Sequence, residues 1–203
     1  MLLLFFGTTA LVAQDTKMKA SANNAGNDKA YLLAYFDKTT ADLKKSIAGL
    51  TPAQLKFKPA ADRWSISQCL EHIVLTEKAL FDYARKGMDT AANPGRRNEV
   101  KTSDENIIKG MEDRSHKVKT TTELTGTGKY QKADDALADL AASRKLVLTY
   151  LDTKTLDDLR NHISDSPFGA VDGFQSFLFL AGHTARHNAQ INEVKADPKF
   201  PVK

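Results

Sequence analysis

Apolar residues recur at helical spacing over four long stretches of the chain, and no stretch of similar length alternates as a strand does. Leu32, Tyr35, Phe36, Leu43 and Ile47 share one face of a helix expected over residues 28–50. Thr51 then stands as a cap before Pro52, which opens a short helical turn in "LTPAQL". In "RWSISQCLEHI", Ser65 is followed three residues later by Gln68, the signature of a capping box, and Trp64 and Cys69 occupy the two positions of a hydrophobic staple. That helix is expected to run from the Ser65 cap to about residue 88, until the Asn93-Pro94-Gly95 turn. A shorter helix is expected over 105–117, a third long one over 132–151 carried by Leu137, Leu140, Leu146, Val147 and Leu151, and a fourth over 173–195. The connection over 152–171 has room for about one helical turn. Four long amphipathic helices joined by loops predict an all-α fold, a four-helix bundle.

Composition narrows this picture in three ways. The chain has 203 residues, 41% hydrophobic and 27% charged, which suits one globular domain over residues 28–203. The net charge of +4 comes from 29 basic and 25 acidic residues, mixed along the chain with no basic block. A solvated surface explains it, and nucleic acid is not an expected partner. The lone Cys69 allows no internal disulfide.

The opening stretch differs from the rest. Residues 1–13 carry an uncharged apolar run from Leu2 to Ala13, too short for a stable membrane span but suited to the core of a signal peptide. A basic segment before it is missing apart from the amino terminus. The expectation is export, periplasmic or secreted, with a mature chain starting near Gln14, which the mass of the protein from its own host checks. Residues 14–27 are small and polar and read as a flexible tether.

Candidate chemistry gathers in the last helix. His183 and His187 stand four residues apart in "GHTARHNAQI", so their side chains are offset by about 40° and about 6 Å along the axis. They share a face with Phe179, Leu180, Ile191 and Val194. Two imidazoles on an apolar face need partners for their nitrogens, and a shared cation satisfies both. His72, about two turns inside the second long helix, could reach them across a bundle core. His116 and His162 fall in a charged stretch and a connection, and are expected at the surface. Gln190, one turn beyond His187, could bond a ligand imidazole or a bound water. Arg186 lies beside the same face, placed for an anionic substrate group or a salt bridge to another helix. Where metalloproteases carry a glutamate base after the first histidine, this chain has Thr184. Tyr83, on the His72 side of its helix, is the one alternative proton-transfer candidate. Trp64, Ser65, Gln68 and Cys69 are accounted for by capping and stapling.

The pairing of "RWSISQCLEHI" with "GHTARHNAQI" about a hundred residues later resembles the DinB-like superfamily, also called the DinB/YfiT group. The resemblance covers most of residues 28–197. It implies a four-helix bundle with a divalent metal on three histidines, here His72, His183 and His187. Zinc is the default ion; nickel, iron and manganese are compatible with three nitrogens and open positions. The family includes metal-dependent hydrolases and thiol-dependent S-transferases or isomerases. Export removes the reducing thiol pool the second class needs, so the expectation is a hydrolase of a small molecule. A non-enzymatic metal- or ligand-binding bundle is the alternative from another class. The substrate is not legible, and a homodimer stays open.

Overall fold

The computed structural model describes residues 28–166 and 169–202. The expected signal peptide and tether lie outside the described residues. Helix α1 spans Lys29–Ile47, α2 Pro52–Lys56, α3 Ile66–Met88, α4 Asp104–Glu112, α5 Ala133–Asp152, α6 Leu156–Asn161 and α7 Gly173–Lys195. Among the described residues, no helix is long and apolar enough to cross a membrane.

Local chemistry sets the helix starts. Thr51 with Gln54 and Ser65 with Gln68 both close capping boxes, and Asp28, Ser103 and Asp172 cap α1, α4 and α7 with their side chains. The long helices α1, α3, α5 and α7 form the bundle. α7 lies between α1 and α3, α3 also packs on α5, and α4 lies along α7. Gly182 permits that last approach: a Cβ there would stand 3.1 Å from Met111 and 3.2 Å from the Tyr35 hydroxyl.

The core divides into two apolar clusters. One gathers Leu32, Phe36, Phe81, Val147, Phe174 and Phe177; the other gathers Leu43, Ile47, Ile66, Leu70, Leu140 and Ile191. Between them all four long helices contribute to a polar layer centred on Arg144, which is 4% exposed. Its guanidinium donates to Glu77 on α3 at 2.9 Å through Nε and through Nη2. It also donates to Phe36 O, Thr39 and Thr40 on α1 and to Thr184 on α7. A buried ion pair is tolerable only when its remaining donors are satisfied in this way.

The structure departs from the sequence expectations in three places. Ile163–Ser166 and Gly169–Asp172 pair as an antiparallel hairpin, β1 and β2, in register from Ile163↔Asp172 to Ser166↔Gly169. Four residues per strand are too few for alternation to stand out. Helix α4 stops at Glu112 rather than near 117, because Asp113 turns back to accept from the Ser115 N–H and hydroxyl. Leu146, expected in the core, is 64% exposed, and Arg144 takes the interior in its place.

Candidate metal centre

Antiparallel packing of α3 against α7 brings His72, His183 and His187 together. One nitrogen from each lies within 4.8 Å of the others. The His72 and His187 ring centres are 4.4 Å apart, as are those of His183 and His187. His72 and His187 are buried, and His183 retains partial exposure, so the cluster is not sealed.

Hydrogen bonds determine which nitrogens converge. His72 Nδ1 lies 2.6 Å from the Leu124 carbonyl oxygen, which can only accept, so Nδ1 carries the proton. Thr76 donates its own hydroxyl proton to the carbonyl of His72, at 2.6 Å, and its oxygen accepts from His183 Nδ1 at 3.1 Å. Gln190 Oε1 accepts from His187 Nδ1 at 2.9 Å and from Arg114 at 3.3 Å. Every Nδ1 therefore donates outward, and every Nε2 presents a bare lone pair to the others. His183 Nε2 and His187 Nε2 stand 3.2 Å apart, and with both Nδ1 atoms protonated each turns a lone pair toward the other. Two lone pairs held that close repel unless a cation lies between. Two zinc–nitrogen bonds of about 2.0–2.1 Å meeting near the tetrahedral angle span about 3.3 Å, so the donor set fits a divalent ion.

Electrostatics favour neutral ligands. Burial pushes His187 down to about 3, helped by the neighbouring His72. Burial, then His187 and His72, hold His183 well below the ordinary imidazole value, and burial lowers His72. Neutral imidazole is the form that binds metal.

The surroundings are built from α3 and the loop beyond α4. Glu71, one residue before His72, accepts from the backbone N–H groups of Thr127, Gly128 and Lys129. Ser67 donates to Tyr130 O, and Gln68 donates to Gly126 O. Gly126 lies so close over the Gln68 carbonyl that no Cβ fits there. These bonds hold the loop that delivers Leu124 O to His72. Trp64 closes one side, edge-on to His72 at 4.9 Å and stacked on His187 at 6.2 Å. Its capping and stapling position is therefore also a wall of the site.

Other candidates sit elsewhere or do other work. Tyr83 lies three turns beyond His72 on α3, about 16 Å along the axis. It is 48% exposed, and its hydroxyl donates to Asp165 O at 2.6 Å. Arg186 is 7% exposed and, among the described residues, forms no ion pair with a carboxylate. It donates to the carbonyls of Met111, Asp113 and His116, where the C-terminus of α4 leaves acceptors unfilled. Thr184 faces the core and accepts from Arg144, so it offers no base. Cys69 is fully buried, which pushes its thiol up to about 12. His116 is exposed, and His162 is partly buried with Nδ1 bonded to Asp158 O. Leu124 and Arg114 carried no sequence signal, and Thr76 showed only its place on the His72 face, since each matters through a cross-element contact.

Comparison with known proteins adds three findings. The family model of the DinB superfamily matches residues 35–191. The uncharacterised protein YuaE of Bacillus subtilis (strain 168) is 21% identical over 163 residues, covering 80% of this chain and 96% of that protein. The solved structure of YfiT from Bacillus subtilis matches with a TM-score of 0.56 at 15% identity, covering 82% of this chain and 85% of that one. YfiT is described as "a probable metal-dependent hydrolase with an unusual four-helix bundle topology".

Proposed function

Because the chain belongs to the DinB superfamily, we propose that it holds one divalent metal ion on His72, His183 and His187 and acts as a metal-dependent hydrolase of a small molecule. The observation that carries the reading is the convergence of one ring nitrogen from each of three histidines within 4.8 Å, with every Nδ1 held by an acceptor outside the cluster. A divalent ion bound there supplies Lewis acidity and open positions for a water or a substrate atom. The protein's own groups do the rest. Leu124 O, Thr76 and Gln190 orient the rings, Trp64 excludes water from one side, and partial exposure at His183 leaves an approach. The description of YfiT supports hydrolysis as the reaction class. No carboxylate belongs to the histidine cluster among the described residues, so a metalloprotease-like reaction with a built-in glutamate base is not the model.

The test is metal content with turnover. Native protein should carry about one divalent ion per chain, and His183→Ala should lose most of it. Metal-loaded protein should hydrolyse members of an ester and amide panel that the variant leaves intact. Absence of metal, together with no rise in melting temperature on adding zinc or nickel, would sink the site. Metal without turnover would leave a binding protein, and turnover only with an added thiol would indicate transfer chemistry.

A further inference from the structure

We infer that Arg114, in the loop after α4, is the positioning residue that fixes which nitrogen of His187 carries the proton, acting through the side-chain amide of Gln190. Gln190 follows His187 by three residues on α7, and its amide lies 2.9 Å from His187 Nδ1. That contact alone is ambiguous. An amide offers an acceptor oxygen or a donor NH2 according to which way it is turned, and a neutral imidazole can answer either. Oxygen toward the ring requires Nδ1–H and leaves Nε2 bare. Nitrogen toward the ring requires Nε2–H, which closes that atom to a cation.

Arg114 removes the ambiguity, because a guanidinium only donates. Its Nη1 lies 3.3 Å from the same Gln190 atom that meets His187, so that atom is the oxygen and Nδ1 must donate to it. The guanidinium is itself held. Its Nε and Nη2 donate to the two oxygens of Glu193 at 3.0 and 2.8 Å, three residues further along α7. This fork–fork pairing aims Nη1 at Gln190. Competition makes the choice matter. His187 Nε2 stands 3.2 Å from His183 Nε2, and without a cation a proton on His187 Nε2 would bridge the two rings. Burial holds the His187 ring neutral, so the choice is only which nitrogen keeps its single proton. The tautomer is a property of the metal-free protein and stands independently of the proposed metal site; the affinity readout below rests on that reading.

Long-range proton–nitrogen NMR spectra of chelator-treated protein read the tautomer, with His187 assigned by the signals that His187→Gln loses. Wild-type His187 should show the Nδ1–H form alone. Arg114→Met should populate the Nε2–H form beside it. Adding Gln190→Glu to that variant should restore Nδ1–H at about pH 8, because a carboxylate only accepts. A merely structural role for Arg114, such as anchoring its loop, would not be rescued in this way. Zinc affinity, read by competition with a chromophoric chelator, should fall about tenfold in Arg114→Met and recover in the double variant. An Nε2–H form in the wild-type protein overturns the inference and needs no variant. So does Arg114→Met with Nδ1–H alone, or a double variant that keeps the Nε2–H form. Zinc that binds none of these proteins would sink the proposed metal site and leave the tautomer result to decide the role of Arg114.

Discussion

A histidine binds a metal well when its far nitrogen is held, and here each ring is held by a different kind of acceptor. Thr76 holds His183, a backbone carbonyl holds His72 and an amide oxygen holds His187. Thr76→Val keeps the shape and removes the acceptor. Competition with a chromophoric chelator should show a metal affinity lower by about tenfold to a hundredfold, with little change in the melting temperature of metal-free protein. An unchanged affinity would mean that Thr76 does not orient His183. The His183–His187 pair and the role of Gln190 were readable from spacing along one helix. Thr76 was not, because its value lies in facing α7, and residue spacing on α3 carries no information about that. Arg186 shows the converse: its place beside the histidines was legible, but the open end of α4 that takes its guanidinium was not.

At the scale of elements, the start of α3 and the loop over 124–130 act as one unit. Burial raises the Glu71 carboxyl, but the N–H groups of Lys129, Gly128 and Thr127 and the Thr127 hydroxyl outweigh it, and its pKa ends below the ordinary carboxylate value. A depressed native value means that the unfolded chain binds the proton more readily. The stabilisation is therefore full above the ordinary value and is lost as pH falls through the lower native one. Glu71→Gln should cost about 1–3 kcal/mol at pH 7. In urea melts, the gap between wild type and variant should close as pH falls through the lowered native value, where the wild-type carboxylate also takes up its proton. Faster hydrogen exchange at Gly128 and Lys129 in the variant would tie the loss to the loop; protected amides there would argue against it. The Ser65–Gln68 capping box was plain in the sequence because both partners lie within one turn. The loop's attachment spans more than fifty residues, and the hairpin beside α7 is too short to show its period.

Across the whole molecule, the layer around Arg144 sets how the four long helices face one another. Its guanidinium touches α1, α3 and α7 from α5, and on α3 and α7 its partners Glu77 and Thr184 adjoin Thr76 and His183. Glu77→Ala leaves a buried charge unpaired and should destabilise the protein by about 3–5 kcal/mol in chemical denaturation. The double variant Glu77→Leu, Arg144→Met should recover most of that stability while metal affinity stays reduced, because apolar packing fills space without fixing helix rotation. Full recovery of both would show that the layer has no part in aligning the histidines. The sequence by itself determined the four long helices, the caps at Thr51 and Ser65 and the His183–His187 pair, because periodicity, capping and i,i+4 spacing are local properties written within a few turns, while His72 joined the pair through the family resemblance. Only the tertiary structure decided that Arg144 goes inward and Leu146 outward, that Arg186 closes α4 and that Tyr83 stays remote from the centre. Each of these depends on which groups from distant segments meet, and on whether a buried donor or acceptor finds its partner there.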